Sequence, residues 1–490
     1  MSALNTLLGS LSTVAAVATA YMLWYRNAST HPLPPSPKYY PVVGNLFSAP
    51  TRDEYAGFVE IGKKLNSDIF CLRVFGTVIV VLNSSEHTTN MFEKRFNIYS
   101  DRWCPPMIAE PSLVNWSLFL SLLGYNDRWK KSLRLMHPWL HKKAVVGFHT
   151  SQQVQARLLL QRLLQASDSL STSAELEAEF FRTLATTLAH SIYGYSVKSL
   201  DDPLVVGFRM ATDNLAKAAL PSNFLVNLFP ILVHVPDWFP GAGWKRTARE
   251  WRKQQEHTVD TAYHWAKAQI AKGENEPSII ASLLNHAERL GLESDEIDSY
   301  VKQIAATLLS GGTDTSAGAL LIFVLAMLLF PEAQSKAQEE IDAVVGLGRL
   351  PTMEDQPKLK YVGNLINEVL RWRPPVPAGV PHACSQDDVY QGYMIPKGAI
   401  VIGNIWAINH DSAVYRDPET FDPDRFLDES VPPPPIFGFG RRRICPGLHY
   451  AEAALFISIT SILATFNITL AKDINGNDLV PVPESDNSIT

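Results

Sequence analysis

Residues 297 to 330 dictate the scale of the whole molecule. They read as one helix, and 34 residues at 1.5 Å each make a rod of about 50 Å. That is well beyond the roughly 30 Å of a small domain. The second half, Ala317 to Phe330, is apolar on every side and therefore belongs in an interior. Such a rod needs a large body wrapped around it, and a chain of 490 residues can supply one.

The middle of the same helix breaks local rules. Gly311 and Gly312 stand in a helix interior, where glycine costs about 1 kcal/mol relative to alanine. Asp314 follows between Thr313 and Thr315, with Ser316 behind it. An acid in a buried stretch is costly unless it is partnered. Small residues that bare the backbone beside an acid and an alcohol mark a docking place, because sequences violate propensity chiefly at sites. The alternative is a groove for a packing helix.

Elsewhere helix predominates. Ile69 to Leu82 is β-branched and aromatic, broken at Gly76, and predicts a hairpin. Asp127 to Lys272 is mainly helical, with proline-bearing breaks at 221 to 240. Leu283 to Gly346 predicts two helices divided at Phe330-Pro331, and Pro357 to Arg373 predicts another, stopped by Pro374-Pro375. Short strands follow at Val389 to Ile395 and Ala399 to Gly403, then a last helix over Leu448 to Phe466. The fold class is mainly α with a small β part. A net charge of −6 argues against nucleic-acid binding. With 46% apolar and 19% charged residues, the chain reads as neither disordered nor polytopic. Its four cysteines contain no C-x-x-C pair, so a disulfide framework or zinc site is unsupported and a single functional thiolate stays open.

Leu4 to Tyr25 contains no charged residue, and 22 residues suffice to span a hydrocarbon core of about 30 Å. Tyr21, Trp24 and Tyr25 gather where an aromatic belt would sit, and Arg26 behind them places the carboxyl side in the cytosol. The uncharged start and long apolar run fit a retained anchor better than a cleaved signal. His31 to Pro37 is proline-rich and predicts a stiff spacer. The expected organisation is an anchor at 1–26, a hinge at 27–45 and one catalytic body at 46–490.

Near the carboxyl end stands Phe437-Gly-Phe-Gly-Arg-Arg-Arg-Ile-Cys445-Pro-Gly447. Loop amides, a helix start and three arginines all favour a thiolate at Cys445. A thiolate is one of the known axial ligands of heme iron. With these residues the chain resembles the cytochrome P-450 family, in particular its fungal microsomal members, over roughly residues 32 to 480. The cysteine loop is similar to the family's F-x-x-G-x-R-x-C-x-G, and residues 311 to 316 to its A/G-G-x-D/E-T-T/S. Glu368-Val-Leu-Arg371 matches its E-x-x-R, and Pro423-Asp-Arg-Phe426 its P-E-R-F. Four motifs in order are specific, whereas E-x-x-R alone would carry nothing.

The resemblance implies a cytochrome P-450 fold preceded by a single N-terminal transmembrane helix, with heme b (iron-protoporphyrin IX) as cofactor. It makes Cys445 the proximal metal ligand, and Arg443 and His382 contacts of the heme propionates. Trp129 fits the family's W-x-x-x-R, but Leu133 occupies the arginine position, which leaves Lys130 or Arg134 to reach a propionate. Asp314 and Thr315 resemble the acid–alcohol pair that delivers protons during oxygen activation. Glu368, Arg371 and Arg425 resemble a buried triad that locks the cysteine loop.

The implied activity is hydroxylation of an apolar small molecule, a terpenoid or polyketide of fungal secondary metabolism, by a heme-thiolate monooxygenase using O2. No G-x-G-x-x-G follows a predicted strand, so electrons must come from elsewhere, and the resemblance implies a separate membrane-bound NADPH-cytochrome P-450 reductase. Lys130, Lys131, Lys142, Lys143 and Arg441 to Arg443 form a candidate steering patch for it. The expected location is the endoplasmic reticulum membrane, single-pass, with the catalytic domain in the cytosol. Apolar pocket candidates are Trp103 to Phe119, Phe208 to Phe239, Ala305 to Leu309 and Val376 to Val380.

Besides Leu133, two further departures qualify the resemblance. Counting back from Cys445, the family's glycine position holds Arg441 and its phenylalanine position holds Gly438, so the loop carries one extra residue. The segment after Pro483 is also short for the family's last hairpin and strand. Two other readings follow: a heme-dependent isomerase or dehydratase, and a non-catalytic relative disabled by the longer loop and short tail.

Overall fold

The computed structural model describes residues 31–166, 172–199, 201–220, 223–273, 278–289, 292–473 and 475–481. The anchor expected at 1–26 lies outside them. Helix dominates the described residues: α1 (Glu54–Leu65), α2 (Asp127–Leu140), α3 (His149–Ala166), α4 (Ser173–Tyr193), α5 (Pro203–Ala219), α6 (Gly243–Lys272), α7 (Ile279–Arg289), α8 (Ser294–Leu329), α9 (Pro331–Val345), α10 (Lys360–Trp372) and α11 (Leu448–Leu463). Strands are short: β1 (Ile69–Val74), β2 (Thr77–Leu82), β3 (Asp101–Arg102), β4 (His382–Ala383), β5 (Asp388–Tyr390), β6 (Tyr393–Ile395), β7 (Ile400–Gly403), β8 (Ala471–Lys472) and β9 (Asp478–Leu479).

The predicted hairpin forms β1 and β2, with Ile69 opposite Leu82 and Val74 opposite Thr77. Its turn takes Phe75 and Gly76 through positive φ, which glycine tolerates without strain. The hairpin opens a sheet in the order β1-β2-β7-β4-β3, with β7 parallel to β2. The proline-rich stretch is laid along this β part. Pro32 O accepts from the Met394 amide, and Pro35 O accepts from the Cys71 amide, both at 2.8 Å.

The rod is α8, with 36 residues. The helical region before it is a separate helix, α7, where the sequence predicted continuous pattern from Leu283. Over Glu296–Leu329 the rod is long and apolar enough to cross a membrane. Its apolar side chains are instead core: Val301, Ile304, Ala305 and Leu309 belong to one buried cluster, Leu320, Phe323 and Met327 to another. Helices α4, α5, α10 and α11 pack around it. Burial of some hundreds of square ångströms of side chain at about 25 cal/mol/Å² outweighs the glycine cost at 311 and 312. The last helix ends at Leu463 rather than Phe466.

Candidate active site

Helix α10 turns Glu368 and Arg371, three residues apart, to one face, and both are fully buried. Arg371 grips the carboxylate in a two-point contact, Nε to Oε2 at 2.7 Å and Nη2 to Oε1 at 2.8 Å. Arg425 Nε donates to the same Oε1 at 3.0 Å, and so does the Asp422 amide at 2.8 Å. The remaining guanidinium hydrogens go to the Asn409, Thr420 and Arg416 carbonyls. This ties α10 to the segment that runs on into the cysteine loop.

The loop itself is held at close range. The Cys445 amide donates to Phe437 O at 2.8 Å. Gly438 and Gly440 have φ of +92° and +73°, and a Cβ on Gly440 would stand 2.5 Å from Phe92 O. The extra residue is absorbed in one helical turn, Gly440–Arg443. Arg442 points to solvent over the Phe96 ring at 5.2 Å, while Arg443 turns inward and is buried. Cys445 is solvent-accessible yet crowded by protein, which pushes its thiol up, offset in part by hydrogen bonds from the Gly447 and Leu448 amides.

Beside the loop lies a cationic cluster. Arg443 donates from Nε to Ser100 O at 2.7 Å and from Nη2 to Leu123 O at 2.9 Å, and lies 4.3 Å over the Trp129 ring. His382 uses Nδ1 on Tyr99 O at 2.7 Å and stacks on Phe92 at 4.0 Å. A carbonyl only accepts, so Nδ1 carries the proton and Nε2 is left as an acceptor in the neutral ring. Burial first, and then Arg102, hold His382 well below the usual histidine range.

Arg102 is the residue that sequence reasoning missed. Register places it opposite His382 across β3 and β4. One guanidinium nitrogen donates to Val380 O, but its buried Nε has no partner. Burial, reinforced by the Arg443 charge, depresses its guanidinium to about 9, and burial brings Arg443 to about 10. Neither makes an ion pair with a carboxylate among the described residues. Arg134 is not brought into this group: it lies exposed on α2, five residues past buried Trp129. Leu133 packs half-buried against the core, and Lys130 pairs with Asp127 at 3.2 Å.

On α8 the acid and the alcohol face different ways. Thr315 Oγ1 donates to Gly311 O at 2.8 Å, and a Cβ on Gly311 would meet nothing within 4 Å. Asp314 instead lines a small cavity against α4 and α5. Burial pushes its carboxyl up to about 7, with Asp213 next and Arg209 opposing. Gly312 answers the helix-packing alternative, since a Cβ there would lie 2.8 Å from Leu188 of α4. The two glycines thus serve different sides.

Comparison with known proteins fits this arrangement. A cytochrome P-450 family model matches residues 34–482. Cytochrome P-450 monooxygenase 208 of Postia placenta is 39% identical over 96% of this chain and 90% of its own length. A cytochrome P-450 monooxygenase of Armillaria gallica is 36% identical over 95% and 91%. Cytochrome P-450 monooxygenase claR of Ampulloclitocybe clavipes is 33% identical over 96% and 86%. The protein is thus an oxygen-incorporating oxidoreductase of the heme-thiolate class. The chain belongs to the cytochrome P-450 family, and its cofactor is heme.

The residues present fit that group. Two buried guanidiniums side by side, one with an orphaned Nε, are costly without an anion. Heme propionates are anions of the right kind, and the Trp129 indole N–H is a further donor, whereas His382, with Nδ1–H spent on Tyr99 O, donates to a carboxylate only when Nε2 is protonated. Of the predicted pocket segments, the region around 104–112 and that around 230–234 form two walls of a cleft of about 610 Å3 lined by Pro106, Ala109, Pro230 and Val233, with Glu110 and His234 at its polar edge. Behind it Met107, Trp116, Phe208 and Leu309 are buried in one apolar cluster.

Proposed function

We propose that this chain hydroxylates an apolar small molecule, a terpenoid or polyketide of fungal secondary metabolism, with Cys445 as the thiolate ligand. The observation that carries the reading is Arg102 next to buried Arg443 beside the cysteine loop, neither of them ion-paired with a carboxylate among the described residues. Bound heme supplies the oxygen chemistry. The chain's own residues then divide the remaining work. Arg443, Arg102 and Trp129 hold the propionates, joined by His382 when its Nε2 takes up a proton against them, and the Glu368–Arg371–Arg425 group keeps the loop in register. Thr315 and Asp314 hold and pass protons at their Oγ1 and carboxyl atoms, while the apolar cluster around Trp116 and Phe208 orients substrate and excludes water.

A membrane setting is supported by one corner of the body. Val42, Phe47, Leu225, Ile231, Trp238 and Phe239 are exposed there, and the Phe75–Phe229 ring contact at 4.1 Å draws these segments together. The proline-rich stretch that follows the uncharged run Leu4 to Tyr25 joins this part of the body through Pro35 O and the Cys71 amide of β1, the strand that leads to Phe75. The reading therefore places the body against the endoplasmic reticulum membrane on its cytosolic side, fed by an NADPH-cytochrome P-450 reductase. Arg442 is exposed over the Phe96 ring, and the next residue, Arg443, lies over Trp129 of α2; with exposed Arg134 on that helix and Lys142 and Lys143 just beyond it, Arg442 supplies positive charge to steer such an acidic partner.

The test is product labelling. The full chain, in vesicles with a reductase and NADPH, is given a panel of terpenoids and aromatic polyketides under 18O2. One labelled oxygen in a product supports the reading. Conversion without label would favour isomerisation or dehydration instead.

A further inference from the structure

The two walls of the large cleft are anchored separately on α6. Arg252 Nη1 donates to Pro111 O at 2.7 Å in the 104–112 wall. Buried Lys245 donates from Nζ to Val233 O and Val235 O, both at 2.6 Å, in the opposite wall. The walls meet each other through one side chain, that of Asn227. It is buried, and its Oδ1 accepts from the Met107 amide at 2.9 Å. Its Nδ2 donates to Ala218 O at 2.8 Å, at the end of α5, and to Leu220 O at 3.4 Å. An amide N–H only donates and carbonyls only accept, so these partners fix which way the Asn227 amide points. Among the described residues no other hydrogen bond joins 104–112 to 225–235. Pro106 and Ala109 line the cleft, while Met107 between them is fully buried in the apolar cluster with Trp116 and Leu309. The bond therefore sits where the cleft ends and that cluster begins.

We propose that Asn227 is a latch across the floor of the cleft, which releases the Met107 amide when a bulky apolar molecule passes from the cleft into the cluster around Trp116. The two ends of the side chain divide the work. Nδ2 caps the α5 terminus, whose last carbonyls lack partners within the helix, and this keeps Asn227 in place. Oδ1 makes the single contact that opens. Because Arg252 and Lys245 hold each wall to α6 on their own, breaking that contact parts the walls without detaching either. The cost of opening is modest, since water entering from the cleft takes over the freed amide and oxygen. Molecules small enough to pass the closed floor do not wait for it.

The latch rests on the monooxygenase reading for the cluster's role as the substrate chamber, and ligand entry tests it without turnover. Stopped-flow absorbance of the full-length heme-loaded protein follows two probes. The bulky one is 4-phenylimidazole on the oxidised protein, and the small one is carbon monoxide on the reduced protein. In the parent, the 4-phenylimidazole rate should level off with concentration, because opening limits it, while the carbon monoxide rate stays proportional to concentration. Asn227→Ala should raise the limiting rate about threefold to tenfold, as loss of one hydrogen bond predicts, and leave carbon monoxide unchanged. Release should quicken in step, so the dissociation constant for 4-phenylimidazole stays the same. Asn227→Asp keeps an oxygen for the Met107 amide but loses the Nδ2 donors, so it should retain the parent's limiting rate. A parent rate for 4-phenylimidazole that never levels off would overturn the latch alone, whatever the variants do. So would the same limiting rate in Asn227→Ala and the parent. Equal acceleration in Asn227→Ala and Asn227→Asp would also overturn it, since the effect would then follow the lost cap of α5. A parent that takes up neither ligand would fail the monooxygenase reading itself, and the latch with it.

Discussion

Replacing Glu368 with glutamine removes the carboxylate that two buried arginines share. Oε1 accepts from Arg371 at 2.8 Å, from Arg425 at 3.0 Å and from the Asp422 amide at 2.8 Å, while Oε2 accepts from Arg371 Nε at 2.7 Å. Glutamine keeps the volume but has one acceptor oxygen, and its NH2 meets a guanidinium. Taking one partner from a buried pair costs about 3–5 kcal/mol, because the other charge stays buried. An unfolding entropy of about 2.1 cal/mol/K per residue amounts to roughly 1 kcal/mol/K for this chain. The expected fall in melting temperature is therefore about 3–5 °C. Glu60→Gln is the control: its bridge to Lys63 is also 3.0 Å long, but the side chains are 60% and 70% exposed. Such a pair contributes well under about 1 kcal/mol, and its loss should shift the melt by less than about 1 °C. Calorimetry at one fixed scan rate makes the comparison fair for a large chain that unfolds irreversibly. Equal shifts in the two variants would refute the argument from burial.

Three further outcomes follow from the same geometry. Gly440→Ala puts a Cβ 2.5 Å from Phe92 O at positive φ, so it should lower the melting temperature by about 2 °C or more and reduce heme per chain, read from the Soret absorbance. Arg102→Leu removes an orphaned buried donor. It should leave the heme-free protein as stable as the parent or more so, yet weaken heme retention about tenfold in a transfer assay to apomyoglobin. Burial lifts Asp314 to about 7 from 3.8, so the folded state binds the extra proton between those values and stability falls as pH rises through that window. Asp314→Asn should therefore raise the melting temperature by about 2 °C at pH 5 and by about 4 °C at pH 8, reflecting about 2 and about 4 kcal/mol; a gain independent of pH would contradict the assignment.

Much of this was legible before any coordinates. The rod at 297–330 announced itself because an all-round apolar half has no solution but burial. The hairpin at 69–82 showed in β-branching with a central glycine. Glu368 and Arg371 sat among leucines and valines, and burial followed. Arg102 was not legible, because its meaning comes from β3 meeting β4, a pairing of segments some 280 residues apart. Arg134 failed for a local reason. Five residues on a helix turn the side chain about 140° from Trp129, away from the site and into solvent. The extra loop residue could be counted but not placed, since a turn and a bulge have the same length. Asp314 and Thr315 were paired by adjacency, yet neighbours on a helix point about 100° apart, and only packing reveals that the acid looks toward α5.

The central claim is that Cys445 binds heme iron from a loop one residue longer than the family pattern. A reduced, carbon-monoxide difference spectrum of the solubilised full-length protein tests it, with Cys445→Ala as the control. The account predicts a strongly red-shifted Soret band that the variant loses. A blue-shifted band, a band unchanged in Cys445→Ala, or no heme in the parent protein would contradict it.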